Sequence, residues 1–310
     1  MSCSGGDGGG DPGAAEADTT LALVASAVSE RGWATVEPAF AATREGDGVA
    51  VKASYGASGD QSRSVADGES ADVVSFAAPP DITRLVEAGK VDENWDAGVT
   101  RGIPFGSVVS FAVRPGNPKN IRDWNDLLRS DVEVITPDPQ SSGSAKWNLL
   151  AAYAWASNGG QDPQAGRDYV GELVTDHVRE RPTSARAAAE LFTGGSGDVL
   201  LGYESQALDA ALEHVIPPQT IKVENPVAVV NTSRHLEQAI DFVNFQFTPA
   251  AQKLWAEANF RPVDPAVLAE YADRFPPPDK LWTVEDLGGW EVVDRQFFDE
   301  DNGTITEIYR

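Results

Sequence analysis

Three segments of the chain place serine, threonine or glycine where a helical pattern begins. They are Ser58-Gly59-Asp60-Gln61, Ser141-Ser142-Gly143-Ser144 and Pro182-Thr183-Ser184-Ala185. The first N–H groups of a helix lack partners within it and carry a partial positive charge of about half a unit. Small residues let an oxyanion approach these groups closely. Each segment is therefore a candidate anion site.

Each of these segments also has an ordinary interpretation. Serine and threonine commonly cap helices without contacting a ligand, and Ser58 followed by Gln61 predicts a capping box. Spacing alone does not show whether three helix starts converge in the fold. At this level the choice between helix caps and ligand contacts stays open.

The elements that must position these segments follow an alternating pattern. Short apolar runs typical of β-strands occur at residues 72–76, 108–113, 132–135, 198–201 and 227–230. Helical patterns lie between or after them, at 145–156, 184–192 and 236–247. Such alternation predicts an α/β fold in which largely parallel sheets are covered by helices.

Length, composition and net charge limit the classes of function that the chain can have. The chain has 310 residues, of which 41% are hydrophobic, enough for two domains of about 100–200 residues each. The net charge of −24 argues against binding to nucleic acid and against polybasic attachment to lipid. It does not exclude an anionic ligand, because surface charges are screened beyond about 8 Å at physiological salt. No apolar run reaches the roughly 18 residues of a membrane span.

Nothing in the sequence has the pattern of a catalytic or metal site. The three histidines, His177, His214 and His235, lack metal-ligand spacing, and neither a P-loop nor a nucleophile elbow is present. We therefore expect a protein that is not an enzyme and needs neither a metal nor a cofactor. Seven tryptophans are compatible with a sugar-stacking groove, but core packing is the favoured interpretation. They are Trp95, Trp124, Trp147, Trp155, Trp255, Trp282 and Trp290.

The only cysteine, Cys3, precedes a glycine-rich stretch. This composition predicts a flexible tether over residues 1–18 and excludes a disulfide framework. A cysteine directly before such a tether is typical of the lipid-bearing residue of a mature bacterial lipoprotein. We expect Cys3 to be a lipid anchor, with an unmodified tail cysteine as the alternative.

Several segments, in order along the chain, resemble bacterial sulfate-binding proteins. They are residues 54–63 (SYGASGDQSR), 113–119 (VRPGNPK) with 123–127, 134–148, 197–201, 259–264 and 288–290. The chain is thereby identified as a member of the sulfate and thiosulfate subgroup of two-lobed periplasmic binding proteins. Residues 19–47 match this pattern much less well.

The resemblance implies a type II periplasmic-binding-protein fold with an anion site in the cleft between two lobes. Each lobe would be a mixed, mainly parallel sheet flanked by helices. Lobe 1 is expected over 19–106 and 225–268, and lobe 2 over 107–224. Residues 269–310 would wrap the lobes as a C-terminal segment.

The resemblance also implies the function. We expect an extracytoplasmic, monomeric protein that captures sulfate or thiosulfate and delivers it to the membrane permease of an ABC importer. The alternatives are the same fold binding molybdate or tungstate, and a secreted interaction protein without a ligand.

The family binds its anion with neutral hydrogen-bond donors, and these carry over residue by residue. The implied sulfate contacts are the hydroxyls of Ser58 and Ser142, the backbone N–H groups of Gly143, Ser144, Ala185 and a residue near Ala27, and the side chain of Tyr203. Arg186 would lie behind the site and polarise its backbone groups, the alternative being an exposed helix arginine. Tyr203 stands where the family has tryptophan, and a phenol can accept as well as donate. We therefore expect weaker discrimination against phosphate.

Overall fold

The structure is a computed structural model that describes residues 17–310. The predictions made for residues 1–16, among them Cys3 and most of the tether, lie outside these residues. Along the described part of the chain, no helix combines the length and apolar character that a membrane crossing needs.

The strands of the described residues fall into two sheets. They are β1 (Thr19–Ser26), β2 (Val49–Gly56), β3 (Val73–Ser75), β4 (Phe105–Val113), β5 (Val134–Ile135), β6 (Val178–Glu180), β7 (Val199–Tyr203), β8 (His214–Val215), β9 (Gln219–Asn225), β10 (Val227–Val229), β11 (Arg261–Pro262) and β12 (Lys280–Trp282).

Helices cover both sheets. They are α1 (Glu30–Ala41), α2 (Ser58–Ala66), α3 (Pro79–Glu87), α4 (Gly143–Ala156), α5 (Pro163–Glu172), α6 (Ala185–Thr193), α7 (Glu204–Asp209), α8 (Leu236–Phe245), α9 (Pro249–Glu257), α10 (Pro265–Glu270), α11 (Trp290–Val293) and α12 (Thr304–Tyr309).

The smaller sheet has the strand order β10-β3-β1-β2. Strand β1 runs parallel to β2 and β3, whereas β10 is antiparallel to β3. Leu23 of β1 belongs to the same core cluster as Trp33 and Phe40 of α1. The neighbouring Val24, which points to the opposite face of the sheet, belongs to the cluster that contains Leu85 of α3. Burial on both faces explains why β1 is almost continuously apolar.

The larger sheet has the order β12-β9-β4-β7-β5-β6, and β8 and β11 also pair with β4. The central strand β4 is buried at every position and is antiparallel to β7 and β9, whereas β5 is parallel to β6 and β7. Helix α4 is apolar on nearly all sides and buried along most of its length, as expected of a helix inside a core.

Along the described residues the chain crosses between the two sheets three times, and one of these connections is very short. Strand β9 ends at Asn225 in the larger sheet and β10 begins at Val227 in the smaller sheet, so Pro226 alone separates them. The connection from β3 to β4 passes alongside it, since the Val227 N–H donates to the Gly102 carbonyl at 2.9 Å. Two of the crossings between the sheets therefore lie side by side.

The C-terminal segment 269–310 adds to the larger sheet. Strand β12 pairs in parallel with β9, and Val293, Phe297 and Ile305 belong to the hydrophobic core on that sheet. This part of the chain therefore extends the core with short elements, consistent with its lack of a long periodic pattern.

The α/β fold with two mixed sheets is confirmed, and all five predicted strands appear, as β3, β4, β5, β7 and β10. The helical patterns at 145–156, 184–192 and 236–247 appear as α4, α6 and α8. The predicted capping box at Ser58 is wrong. Helix α2 begins at Ser58 itself, so its N-cap is Ala57, whose methyl group cannot accept a hydrogen bond. The Ser58 hydroxyl bonds to Asp81 instead of capping the helix.

Candidate anion-binding site

The start of α2 brings Ser58 into the interior beside the loop that follows β3. Ser58 is 1% exposed. Its Oγ accepts the Ala77 N–H at 3.0 Å and donates its hydrogen to Oδ2 of Asp81. Asp81 lies at the start of α3 and also pairs with Nη1 of Arg84 at 3.3 Å. The hydroxyl of Ser58 is therefore oriented by a buried carboxylate.

The start of α4 presents the second predicted segment. Ser142 is the N-cap residue, and its hydroxyl makes no bond to the helix backbone. Instead Ser142 Oγ lies 2.8 Å from Ser144 Oγ, and both side chains are almost fully buried. The first N–H groups of this 14-residue helix and two hydroxyls thus share one small region.

The starts of α2 and α4 converge. A methyl group built on Gly143 would lie 2.8 Å from Asp81 Oδ2 and 3.2 Å from Ser58 Oγ. The Gly59 N–H donates to the Ser141 carbonyl at 3.0 Å, which ties the two helix starts together directly. The structure brings Ser58, Ser142, Gly143 and Ser144 into one cradle.

Ala77 borders this cradle, and its carbonyl accepts three hydrogen bonds. Trp147 Nε1 donates to it at 2.8 Å, Asn225 Nδ2 at 3.2 Å and Tyr203 Oη at 3.5 Å. All three donors come from the larger sheet or from its packed helix, whereas Ala77 follows β3 of the smaller sheet. The cradle therefore lies where the two sheets meet.

Tyr203 ends β7 and is buried. Burial raises the pKa of Tyr203 well above its ordinary value, with a smaller opposing effect from the Asn225 amide and a further upward effect from the Asp81 charge. The side chain is consequently a neutral phenol that can donate or accept a hydrogen bond. The neighbouring Asn225 Oδ1 is buried without a hydrogen-bond partner.

Ala27, Ala185 and Arg186 line a separate pocket between the start of α1, α6 and α7. Helix α6 starts at Ala185, with Ser184 Oγ accepting the Ala187 N–H at 3.1 Å. Arg186 is about half exposed and forms an ion pair with Glu30 of α1. Within residues 17–310, no hydrogen bond joins Ala27, Ala185 or Arg186 to the cradle at Ser58 and Gly143.

Sequence reasoning missed four contributors to the cradle. Asp81 follows two prolines and looks like an ordinary acidic residue of a helix start, Trp147 looks like core, and Ala77 acts through its backbone. Asn225 lies next to Pro226 and carries no pattern of its own. Only the pairing of distant segments identifies these residues.

Over the described chain, no group of His, Cys, Asp and Glu side chains is arranged to hold a metal ion.

The fold and the cradle define a binding protein in which two α/β sheets meet around buried hydrogen-bond donors. The chain belongs to the bacterial extracellular solute-binding protein family, which matches residues 33–261.

Several relatives of this chain are named for the anion that they bind. A sulfate-binding protein of Synechococcus elongatus is 38% identical, over 93% of this chain and 86% of its own length. A thiosulfate-binding protein of Pseudomonas aeruginosa is 32% identical, over 96% of this chain and 94% of its own. The solved structure of the sulfate-binding protein SubI from Mycobacterium tuberculosis has a TM-score of 0.89 and 62% identity, covering 91% of this chain and all of SubI.

Proposed function

We propose that this protein captures sulfate, or the closely similar thiosulfate, and delivers it to the permease of an ABC importer. The observation that carries the proposal is the convergence of the α2 and α4 starts, which places Ser58, Gly143 and the paired Ser142 and Ser144 hydroxyls in one buried cradle. The names of the relatives favour these anions over molybdate or tungstate.

Neutral donors suffice for such a ligand. Burying a dianion is costly unless its oxygens receive hydrogen bonds, and each bond to a charged group returns about 1.5–3 kcal/mol. Micromolar binding requires only about 8 kcal/mol in net free energy. We assign the donor roles to the Ser142 hydroxyl and to the N–H groups of Gly143 and Ser144, with Tyr203 as a further donor. Ser58 joins them when its hydrogen turns from Asp81 to the anion.

Closure of two lobes would complete the site. In this proposal residues 19–106 and 225–268 move as one lobe against residues 107–224, with the crossing at Pro226 as hinge and residues 269–310 following the second lobe. In the closed form the backbone N–H groups near Ala27 and at Ala185 complete the set of donors, and Arg186 stays behind them. The protein acts as a monomer and without catalysis.

The same proposal places the protein outside the cytoplasmic membrane. Membership in the extracellular solute-binding family supports that location. Cys3, directly before a glycine-rich stretch, would carry the lipid that holds the protein at the membrane. Cys3→Ser expressed in the native host is then expected to move the protein from the membrane fraction to the soluble fraction. Equal membrane association of both forms would contradict the anchor.

Calorimetric titration tests the ligand and the site together. Dialysed protein is expected to bind one sulfate, and Ser142→Ala to weaken binding by about tenfold to a hundredfold, the equivalent of one charge-assisted bond. Ser157→Ala is the matched control, because Ser157 is equally buried but lies at the opposite end of α4.

Ser157→Ala should bind sulfate like wild type. Absence of sulfate binding by demonstrably ligand-free wild type, with binding of molybdate instead, would assign the fold to another oxyanion. Equal losses in Ser142→Ala and Ser157→Ala would contradict the site.

A further inference from the structure

A chain of hydrogen bonds runs from one sheet to the other through the residue Ala77. Trp147 Nε1 donates to the Ala77 carbonyl at 2.8 Å, the Ala77 N–H donates to Ser58 Oγ at 3.0 Å, and Ser58 Oγ donates to Asp81. Every member is buried, with Trp147 and Ala77 at 0% exposure. The donors all point the same way, from Trp147 to Ala77, from Ala77 to Ser58 and from Ser58 to Asp81.

The two ends of this series of hydrogen bonds lie on different sheets. Trp147 lies in α4, which packs in the core of the larger sheet, whereas Ala77, Ser58 and Asp81 follow or cover strands of the smaller sheet. Trp147 is also only one turn beyond Ser142 and Gly143 in the proposed anion cradle. In the proposed function the first turn of α4 contacts the anion, and its second turn contacts Ala77, which follows β3 of the smaller sheet.

Fixing Ala77 on both sides limits its backbone. Its carbonyl is held by the indole and its N–H by the Ser58 hydroxyl, so its two free dihedral angles cannot change without breaking a buried bond. Asn225 and Tyr203 donate to the same carbonyl at longer distances of 3.2 and 3.5 Å. Trp147 supplies the shortest of the three bonds.

We propose that Trp147 is a positioning residue for the anion: its indole N–H holds Ala77 and through Ala77 orients the Ser58 hydroxyl. This inference rests on the proposed function. It couples the approach of α4 to the orientation of a donor on the other sheet, so that the two halves of the cradle become competent together.

Packing by the Trp147 ring must be separated from the effect of its N–H. Trp147→Phe keeps an aromatic ring and removes the donor. Trp290→Phe is the matched control, because Trp290 contacts Trp147 edge to face at 4.8 Å and its own buried indole N–H has no partner. We expect the sulfate Kd to rise about tenfold in Trp147→Phe, about 1.4 kcal/mol, and to stay within about twofold of wild type in Trp290→Phe.

A double-mutant cycle tests the route through Ser58. In a Ser58→Ala background, Trp147→Phe is expected to change the sulfate Kd by no more than about twofold, since the residue that it orients is gone. An undiminished loss in that background, or equal losses in Trp147→Phe and Trp290→Phe, would overturn the inference. If Trp147→Phe does not fold, benzothienylalanine at position 147 replaces it, since sulfur there removes only the N–H.

The failure of this inference and that of the proposed function give different results. Wild type that binds no sulfate overturns both. Wild type that binds sulfate while the position-147 variant matches wild type overturns only the role of Trp147.

Discussion

Two regions join the sheets, and they differ in chemistry. In the cradle, Ser58, Ala77 and Trp147 are linked by buried hydrogen bonds between neutral groups, with Asp81 and Arg84 behind them. At the rim, α1 contacts α6 and α7 through ion pairs, Arg186 with Glu30 and Arg31 with Asp209 at 3.4 Å. The side chains of Arg186, Glu30 and Arg31 are about half exposed, and that of Asp209 is 24% exposed.

The difference indicates where binding energy resides. Exposed ion pairs contribute about 0–1 kcal/mol and weaken with salt, because water and ions screen them. A buried polar group that loses its partner costs about 1–3 kcal/mol. We therefore expect anion affinity to depend strongly on the cradle and weakly on the rim, and the following changes test that ranking.

The largest effect is expected from Gly143→Ala. The added methyl group would lie 2.8 Å from Asp81 Oδ2 and 3.2 Å from the Ala77 side chain, so Asp81 and Ala77 must move away from the start of α4. Sulfate affinity should fall more than about a hundredfold by calorimetry. Gly171→Ala on α5 is the control, because its methyl group meets no atom within 4 Å. An affinity for Gly143→Ala within a few-fold of wild type would contradict the tight cradle.

Tyr203→Phe is expected to have an intermediate effect. Loss of the buried phenol should weaken sulfate binding by about tenfold, the equivalent of one bond to a charged ligand. It should also abolish the weak phosphate binding that we expect of wild type, because the phenol oxygen can accept the phosphate proton. Tyr169→Phe is the control, since that phenol bonds a backbone carbonyl elsewhere in the larger-sheet core. Wild type that shows no phosphate binding in competition titrations would contradict the acceptor role.

A small effect is expected from Glu30→Gln at the rim. Removal of the ion pair with Arg186 should change sulfate affinity by no more than about threefold, and the change should vanish at high salt. Glu45→Gln is the control, because Glu45 pairs only with its neighbour Arg44, away from the rim. A loss comparable to that of Tyr203→Phe, persisting in salt, would move the decisive contacts to the rim.

The smallest effect, on stability alone, is expected from Glu37→Gln outside both regions. Burial raises the pKa of Glu37 from 4.5 to about 7, although a hydrogen bond from Tyr55 opposes the shift. The folded state therefore holds this proton more tightly than the unfolded state. That stabilisation is complete below pH 4.5 and is lost as the pH rises through about 7.

Between pH 4.5 and about 7, the free energy of unfolding should fall by about 1 kcal/mol less in Glu37→Gln than in wild type. This figure is lowered because Glu37 is partly exposed to solvent. Denaturant titrations at several pH values measure this slope, with Glu45→Gln as the control. A slope equal to that of wild type would contradict the shifted pKa.

The sequence alone was enough to predict the α/β class and the helix starts. Strand and helix periodicities report burial within one element, so β4, β7, α4 and α6 could be predicted from local patterns. Helix chemistry likewise identified Ser142 and Gly143 as candidate anion contacts. The two-sheet arrangement around them followed from the family resemblance.

The tertiary structure alone decided which helix starts meet. Ser58 and Ala77 are 19 residues apart, and Ala77 and Trp147 are 70 apart, so their contact depends on strand order and not on local pattern. The same pairing directs the Ser58 hydroxyl to Asp81, where the sequence predicted a helix cap. Sequence periodicity records which face of an element is buried, whereas sheet topology determines what it is buried against.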